Sequence, residues 1–239
     1  MRDKHNVELS SNRGEILISV NHLGAHNPVH AIDGWPVLCW SRGTFKAMVT
    51  WRTGSGDRGM TDLLGRRRVS KSDAIIEALG DVDEATSHIG LARAAVSWDG
   101  EWGPGVLEQV QRDLYGLMSE LAMPPNHPQA HRLPSDRLEW LDRTLVDLKE
   151  RIAIPNEFVL PGSTVGGGHL DVARAVVRRA ERAVVRVLEA SADDPDLGYP
   201  TNPILSSYLN RLSLVLYFMA RLQEAESGGS PRLASSQPS

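Results

Sequence analysis

A chain of 239 residues and 26.2 kDa is long enough for one large domain or two small ones, with a substantial buried core. Lys and Arg number 26 against 30 Asp and Glu, a formal charge of −4, which argues against a nucleic-acid binder held by a basic surface. Apolar runs such as Leu214 to Ala220 fall far short of the ~20 residues a membrane span needs. The single cysteine, Cys39, excludes an intrachain disulfide and a cysteine zinc cluster, so a reducing, cytoplasmic setting is expected.

Residues 1–47 hold four of the eight His, the only Cys and two of the six Trp, with no sustained period of 3.6 or 2. They read as an irregular N-terminal extension. They are expected to add nothing to the bundle core or the site, and to be an over-extended reading of the gene start. The alternative is a genuine extension that packs over the assembly or recruits a partner through Trp35, Leu38 and Trp40. A Gly-rich stretch follows, Thr53-Gly54-Ser55-Gly56-Asp57-Arg58-Gly59, then the basic run Arg66-Arg67-Arg68.

Helical spacing of apolar residues then predicts five helices within a domain of residues 48–225. The first covers about 72–96, with Ile75, Leu79, Val82, Ile89 and Ala92 on one stripe. The second covers about 105–122 and is closed by Pro124-Pro125. The third starts at Ser135 as N-cap and runs to about Ile152. The fourth covers about 169–190. The fifth has Asn202 as N-cap and Pro203 at its first position. Residues 226–239, rich in Gly, Ser and Pro, are expected to form a disordered tail. The fold class is therefore all-α, an antiparallel five-helix bundle.

The fourth helix carries the clearest chemical signal. Arg174, Arg178, Arg182 and Arg186 recur every four residues and form a ladder along one side, flanked by Arg179 and Glu181. Val172, Ala173, Val176, Ala180, Ala183, Val184 and Val187 form the opposite side. Guanidinium groups without matching acids suit a polyanion such as a triphosphate. A solvated stripe, or an interface satisfied by acids elsewhere, is the competing reading. The Gly-rich loop offers backbone N–H groups for phosphate but lacks the Gly-Lys-Ser/Thr ending of a P-loop, so an ordinary turn competes there too. Asp81, Asp83 and Glu84 are either a carboxylate group for chemistry or salt-bridge partners. His127 and His131 are four apart, but Pro128 and Pro134 speak against a helix presenting both, and no metal-ligand set is expected.

The Gly-rich loop, Lys71, Gly80-Asp81-Val82-Asp83-Glu84, Phe158-Val159-Leu160-Pro161-Gly162, the run Arg174 to Arg182, and Tyr208-Leu209-Asn210-Arg211-Leu212-Ser213 occur in one order. That series resembles the PduO-type ATP:cob(I)alamin adenosyltransferases over about Val49 to Leu222. The resemblance implies a homotrimer with active sites between subunits, taking ATP with Mg²⁺ and a corrinoid (cobalamin) as substrate. It implies that Thr53, Ser55, Gly56, Thr61 and Lys71 wrap the triphosphate. Arg178, Arg179, Glu181, Arg182 and Asn210 would complete the nucleotide site. It also implies that Asp83 and Arg174 pair across the subunit interface, and that Phe158 fills the lower axial face of the corrin. Arg178, Phe158 and Asn210 are the residues implied in catalysis. A reductase and an adenosylcobalamin-dependent enzyme are the implied protein partners.

Three departures from the family pattern stand out. Leu214 replaces an Asp, Asp171 replaces a His, and Gly166-Gly167-Gly168 stand where helix formers are expected. Leu214 and Asp171 motivate an alternative, a trimeric ATP- and corrinoid-binding protein with little turnover.

Overall fold

A computed structural model describes residues 7–12, 15–20, 37–41, 44–50, 56–96, 98, 100, 102–128 and 130–235, with backbone only for residues 7–50 and for Arg66 and Arg67. Two compact units divide the chain, residues 1–58 and 59–239.

In the N-terminal unit, β1 (Val7–Asn12), β2 (Glu15–Val20), β3 (Val37–Ser41) and β4 (Thr44–Thr50) form an antiparallel sheet in the order β1-β2-β4-β3. The segment read as irregular therefore contains a sheet. Its strands are five to seven residues long, too short to leave a sustained period in the sequence. Pairing organises them instead: Leu9 stands opposite Ile18, and Ile18 opposite Ala47.

The second unit opens with the hairpin β5 (Met60–Leu63) and β6 (Arg66–Ser70), turned at Gly65 with φ 78°. The basic run Arg66-Arg67-Arg68 lies in β6. Lys71 N donates to Gly59 O at 2.8 Å where the hairpin closes.

Five helices follow, as the spacing predicts: α1 (Ala74–Ala95), α2 (Trp102–Ala122), α3 (Ser135–Arg151), α4 (Val165–Asp193) and α5 (Ile204–Glu226). Asp73 caps α1 by accepting from Ile75 N at 3.0 Å, and Glu77 in the first turn complements the helix dipole. The α5 start differs by one residue from expectation, but Asn202 Oδ1 does accept from Ile204 N at 3.1 Å. Ser135 is the first residue of α3 rather than its cap. The fourth helix begins four residues early, at Val165. Thr164 caps it by accepting from Gly167 N at 3.0 Å, so the glycines are helical.

Packing runs in the order α2-α1-α4-α5-α3, each helix against the next. The core lies between them, from Ile75 to Leu222, and includes Leu107, Leu114, Leu141, Leu170, Val184 and Leu209. Tyr208 is its largest fully buried side chain. Its hydroxyl donates to Asp113 Oδ2 at 2.8 Å, and Arg137 pairs with the same carboxylate at 2.8 Å. Burial, and then Asp113, push the Tyr208 pKa well above 10.0.

The tail is ordered further than its composition implies. Gly228 and Gly229 turn the chain after α5, and β8 (Arg232–Leu233) pairs with β7 (Val159–Leu160). Backbone pairing supplies the order that apolar side chains do not.

Candidate active site

The arginine ladder faces α1 on one side and α5 on the other. Arg179 reaches α1, where Nε donates to Asp81 Oδ1 at 2.9 Å and Nη2 bonds the Glu84 carboxylate. Its bond to Asp81 raises the Arg179 pKa above the usual guanidinium value. Arg186 pairs with Glu77 at 3.1 Å, and Arg178 with Glu181 at 3.4 Å. Glu181 also accepts from Asn210 Nδ2 on α5 at 3.0 Å. Arg182 Nη1 donates to the Arg178 carbonyl at 2.9 Å. The ladder thus has matching acids after all. They are Glu181 within α4 and Glu77, Asp81 and Glu84 on α1, and only those on α1 escape a charge count along the arginine run. Among the described residues, Arg182 has no carboxylate partner.

Arg178, Arg179, Glu181, Arg182 and Asn210 are therefore brought together, with Glu181 as the hinge between two helices. Its carboxylate takes one bond from each side and fixes both donors toward the same exposed edge. The apolar side of α4 is buried as expected, except Val172, which is exposed.

Thr61 lies in β5, half-buried, and Lys71 is exposed beyond β6. No hydrogen bond or ion pair among the described residues joins either to the α4 group. Gly56 stands in the turn 56–58 of the N-terminal unit, and Thr53 and Ser55 lie outside the described residues. Asp83 is exposed on α1. Arg174, in contrast, has a partner within the chain: Nε donates to Asp171 Oδ1 at 3.1 Å.

Phe158 is 73% exposed and directly precedes β7, whose Val159 is buried. The loop is therefore anchored by its neighbour and presents its aromatic residue to solvent.

Sequence reading missed the network behind this loop. Asp171 bonds the guanidinium of Arg221, which pairs with Glu224 at 3.1 Å. Arg221, Gln223 and Glu224 are all buried. Burial pushes the Glu224 carboxyl above its ordinary range, against the opposing pull of Arg221. Glu224 Oε1 accepts from Ser163 N at 3.1 Å, and Gln223 Oε1 accepts from Thr164 Oγ1 at 2.5 Å. The glycines supply a signal for it. A Cβ on Gly166 would come within 2.7 Å of Gln223 Cδ, and one on Gly167 within 2.5 Å of Glu224 Cγ. Helix formers are excluded there by close approach. Leu214, the other departure, is 40% exposed.

Residues 51–223 match the cobalamin adenosyltransferase family. A cobalamin adenosyltransferase of Cupriavidus metallidurans is 35% identical over 178 residues, covering 74% of this chain and 90% of that protein. A corrinoid adenosyltransferase of Mycobacterium tuberculosis is 38% identical over 177 residues, covering 71% and 86%. Among solved structures, a single-residue variant of the PduO-type ATP:corrinoid adenosyltransferase from Lactobacillus reuteri, complexed with cobalamin and ATP, superposes with a TM-score of 0.68. It is 25% identical, and the alignment covers 77% of this chain and 98% of that one. The chain belongs to the cobalamin adenosyltransferase family and is an adenosyltransferase.

Proposed function

We propose that this protein transfers the 5′-deoxyadenosyl group of ATP to cob(I)alamin, with Arg178, Arg179, Arg182 and Asn210 holding the nucleotide and Phe158 standing against the corrin. The observation that carries the residue assignment is the Glu181 hinge, which sets Arg178 and Asn210 on one exposed edge beside Arg182, a cation with no carboxylate partner among the described residues. Such an edge is pre-organised for phosphate oxygens, which guanidinium groups bind with paired bonds.

The reaction asks little covalent chemistry of the protein. The cobalt of cob(I)alamin, the substrate, supplies the electron pair that forms a bond to the ribose 5′ carbon. The carbon–oxygen bond to the triphosphate breaks, and triphosphate leaves with the electron pair of that broken bond. No Ser, Cys or His nucleophile is needed. The chain's part is to align the two substrates and to place positive charge where it develops on the leaving group. Arg178 and Arg182 serve the second task. Phe158 serves the first, and by excluding an axial ligand it favours a four-coordinate cobalt, which is easier to reduce. Mg²⁺ would enter on the triphosphate and neutralise part of its charge. Thr53, Ser55, Gly56, Thr61 and Lys71 would complete the phosphate contacts in this reading.

The assembly proposed is a homotrimer, with Asp83 of one subunit pairing with Arg174 of the next. The exposure of Asp83 supports this, and the bond of Arg174 Nε to Asp171 leaves the terminal nitrogens of that guanidinium for it. A cytoplasmic setting, a reductase that delivers Co(I) and an adenosylcobalamin-dependent acceptor complete the reading.

The test is direct. ATP, Mg²⁺ and chemically reduced cobalamin are mixed with the protein, and the corrin absorbance is followed for adenosylcobalamin. Product formation at many turnovers supports the enzyme. Tight binding of both substrates without product would establish a binding protein instead.

A further inference from the structure

The end of the chain returns to the loop that carries Phe158. Val159 pairs with Leu233 and Leu160 with Arg232, and Ala234 N donates to Phe158 O at 2.8 Å. Ser235 Oγ bonds the Glu157 carboxylate. The far end of the same loop is tied by the end of α5, through Ser163 to Glu224 and Thr164 to Gln223. Segment 157–164 is thus gripped at both ends by residues 223–235.

The turn that sends the tail there is specific. Gly228 has φ 72°, and Gly229 N donates to Glu224 O at 2.7 Å. A Cβ on Gly229 would lie 2.9 Å from Thr164 Cγ2 and 3.0 Å from Glu224 O, so the chain passes against the loop's base only because no side chain intervenes.

We propose that residues 229–235 are a strap that positions Phe158 for the corrinoid. The proposal rests on the Phe158 role assigned above. An exposed aromatic ring gains little placement from packing, so its backbone must hold it in position. A loop fixed at one end only would let the ring swing by more than the ~0.5 Å that a productive site tolerates. The strap removes that freedom through main-chain bonds, without burying the ring that must meet the ligand.

Two variants test this: a chain ended after Ser230, and full-length Ala234→Pro, which removes the N–H donated to Phe158 O. Both should keep the helical circular dichroism, the unfolding midpoint and the ATP affinity. Hydrogen exchange at the amides of Phe158, Val159, Leu160 and Gly162 should rise roughly tenfold, because local opening no longer breaks a strand pair. The four-coordinate cob(II)alamin signal formed with ATP should weaken, and the corrinoid KM should rise more than kcat falls. In a Phe158→Ala background the truncation should add nothing to either. Unchanged exchange at these amides after truncation overturns the strap alone. An equal loss of corrinoid signal in the Phe158→Ala background shows that the tail acts elsewhere and also overturns it. Phe158→Ala that keeps the four-coordinate signal overturns the reading of Phe158 itself.

Discussion

Asp171 on α4 and Arg221 on α5 form an ion pair in which the two side chains are 5% and 3% exposed. Each has a second partner, Arg174 for Asp171 and Glu224 for Arg221, so two acids face two guanidinium groups. Arg221 also lies over the Tyr217 ring, 5.4 Å from its centroid. Breaking such a buried pair strands a charge, at a cost of about 3–5 kcal/mol. Asp171→Ala should fall in that range, and Arg221→Met should cost at least as much, because it leaves Glu224 without its cation and Asp171 with Arg174 alone. Urea unfolding monitored by circular dichroism measures both. A loss within about 1 kcal/mol, the range of an exposed pair, would show that the network is solvated.

The triple glycine predicts opposite responses at neighbouring positions. Gly167→Ala places a methyl 2.5 Å from Glu224 Cγ, whereas Gly168→Ala meets nothing nearer than Gly162 Cα at 3.8 Å. Overpacking of about 1–3 kcal/mol should outweigh the helix preference for alanine in the first case. In the second, the preference of about 0.5–1 kcal/mol should appear as a gain in stability. Thermal midpoints of the two variants on either side of wild type would bear this out. Equal midpoints would refute the close-approach account.

Glu224 predicts a pH signature. Burial, opposed by Arg221, raises its folded pKa above the ordinary 4.5. A carboxyl raised on folding favours the native state below its unfolded pKa, and that contribution is lost as pH rises through the folded value. The stability of Glu224→Gln minus that of wild type should therefore grow as pH increases from about 4.5 toward neutrality. Denaturant curves across this window give the difference. A flat line would place the Glu224 carboxyl at its ordinary value.

Arg178 and Arg186 separate nucleotide binding from ladder chemistry. Arg178→Ala should weaken ATP binding by the worth of a charge-assisted bond, about 1.5–3 kcal/mol, while the fold persists. Arg186→Ala removes an exposed pair with Glu77 and should leave the ATP dissociation constant in place. Calorimetric titration of both variants with ATP decides between them. Equal effects would mean that the whole ladder acts as one electrostatic surface.

Much was legible in the sequence because periodicity is a local property. A stripe such as Ile75, Val82, Ile89 faces inward wherever a helix of that register packs, so five helices and most of their core followed from spacing. The arginine ladder was equally visible, since residues four apart share a helix face whatever surrounds them. What lies opposite each arginine was not, because Asp81 and Glu77 reach the ladder from nearly a hundred residues or more away in the chain. The sheet in residues 7–50, the return of β8 to β7, and the close approach that requires Gly166 and Gly167 belong to the same class. Each is a pairing between distant segments, and its free energy exists only once the fold has brought them together.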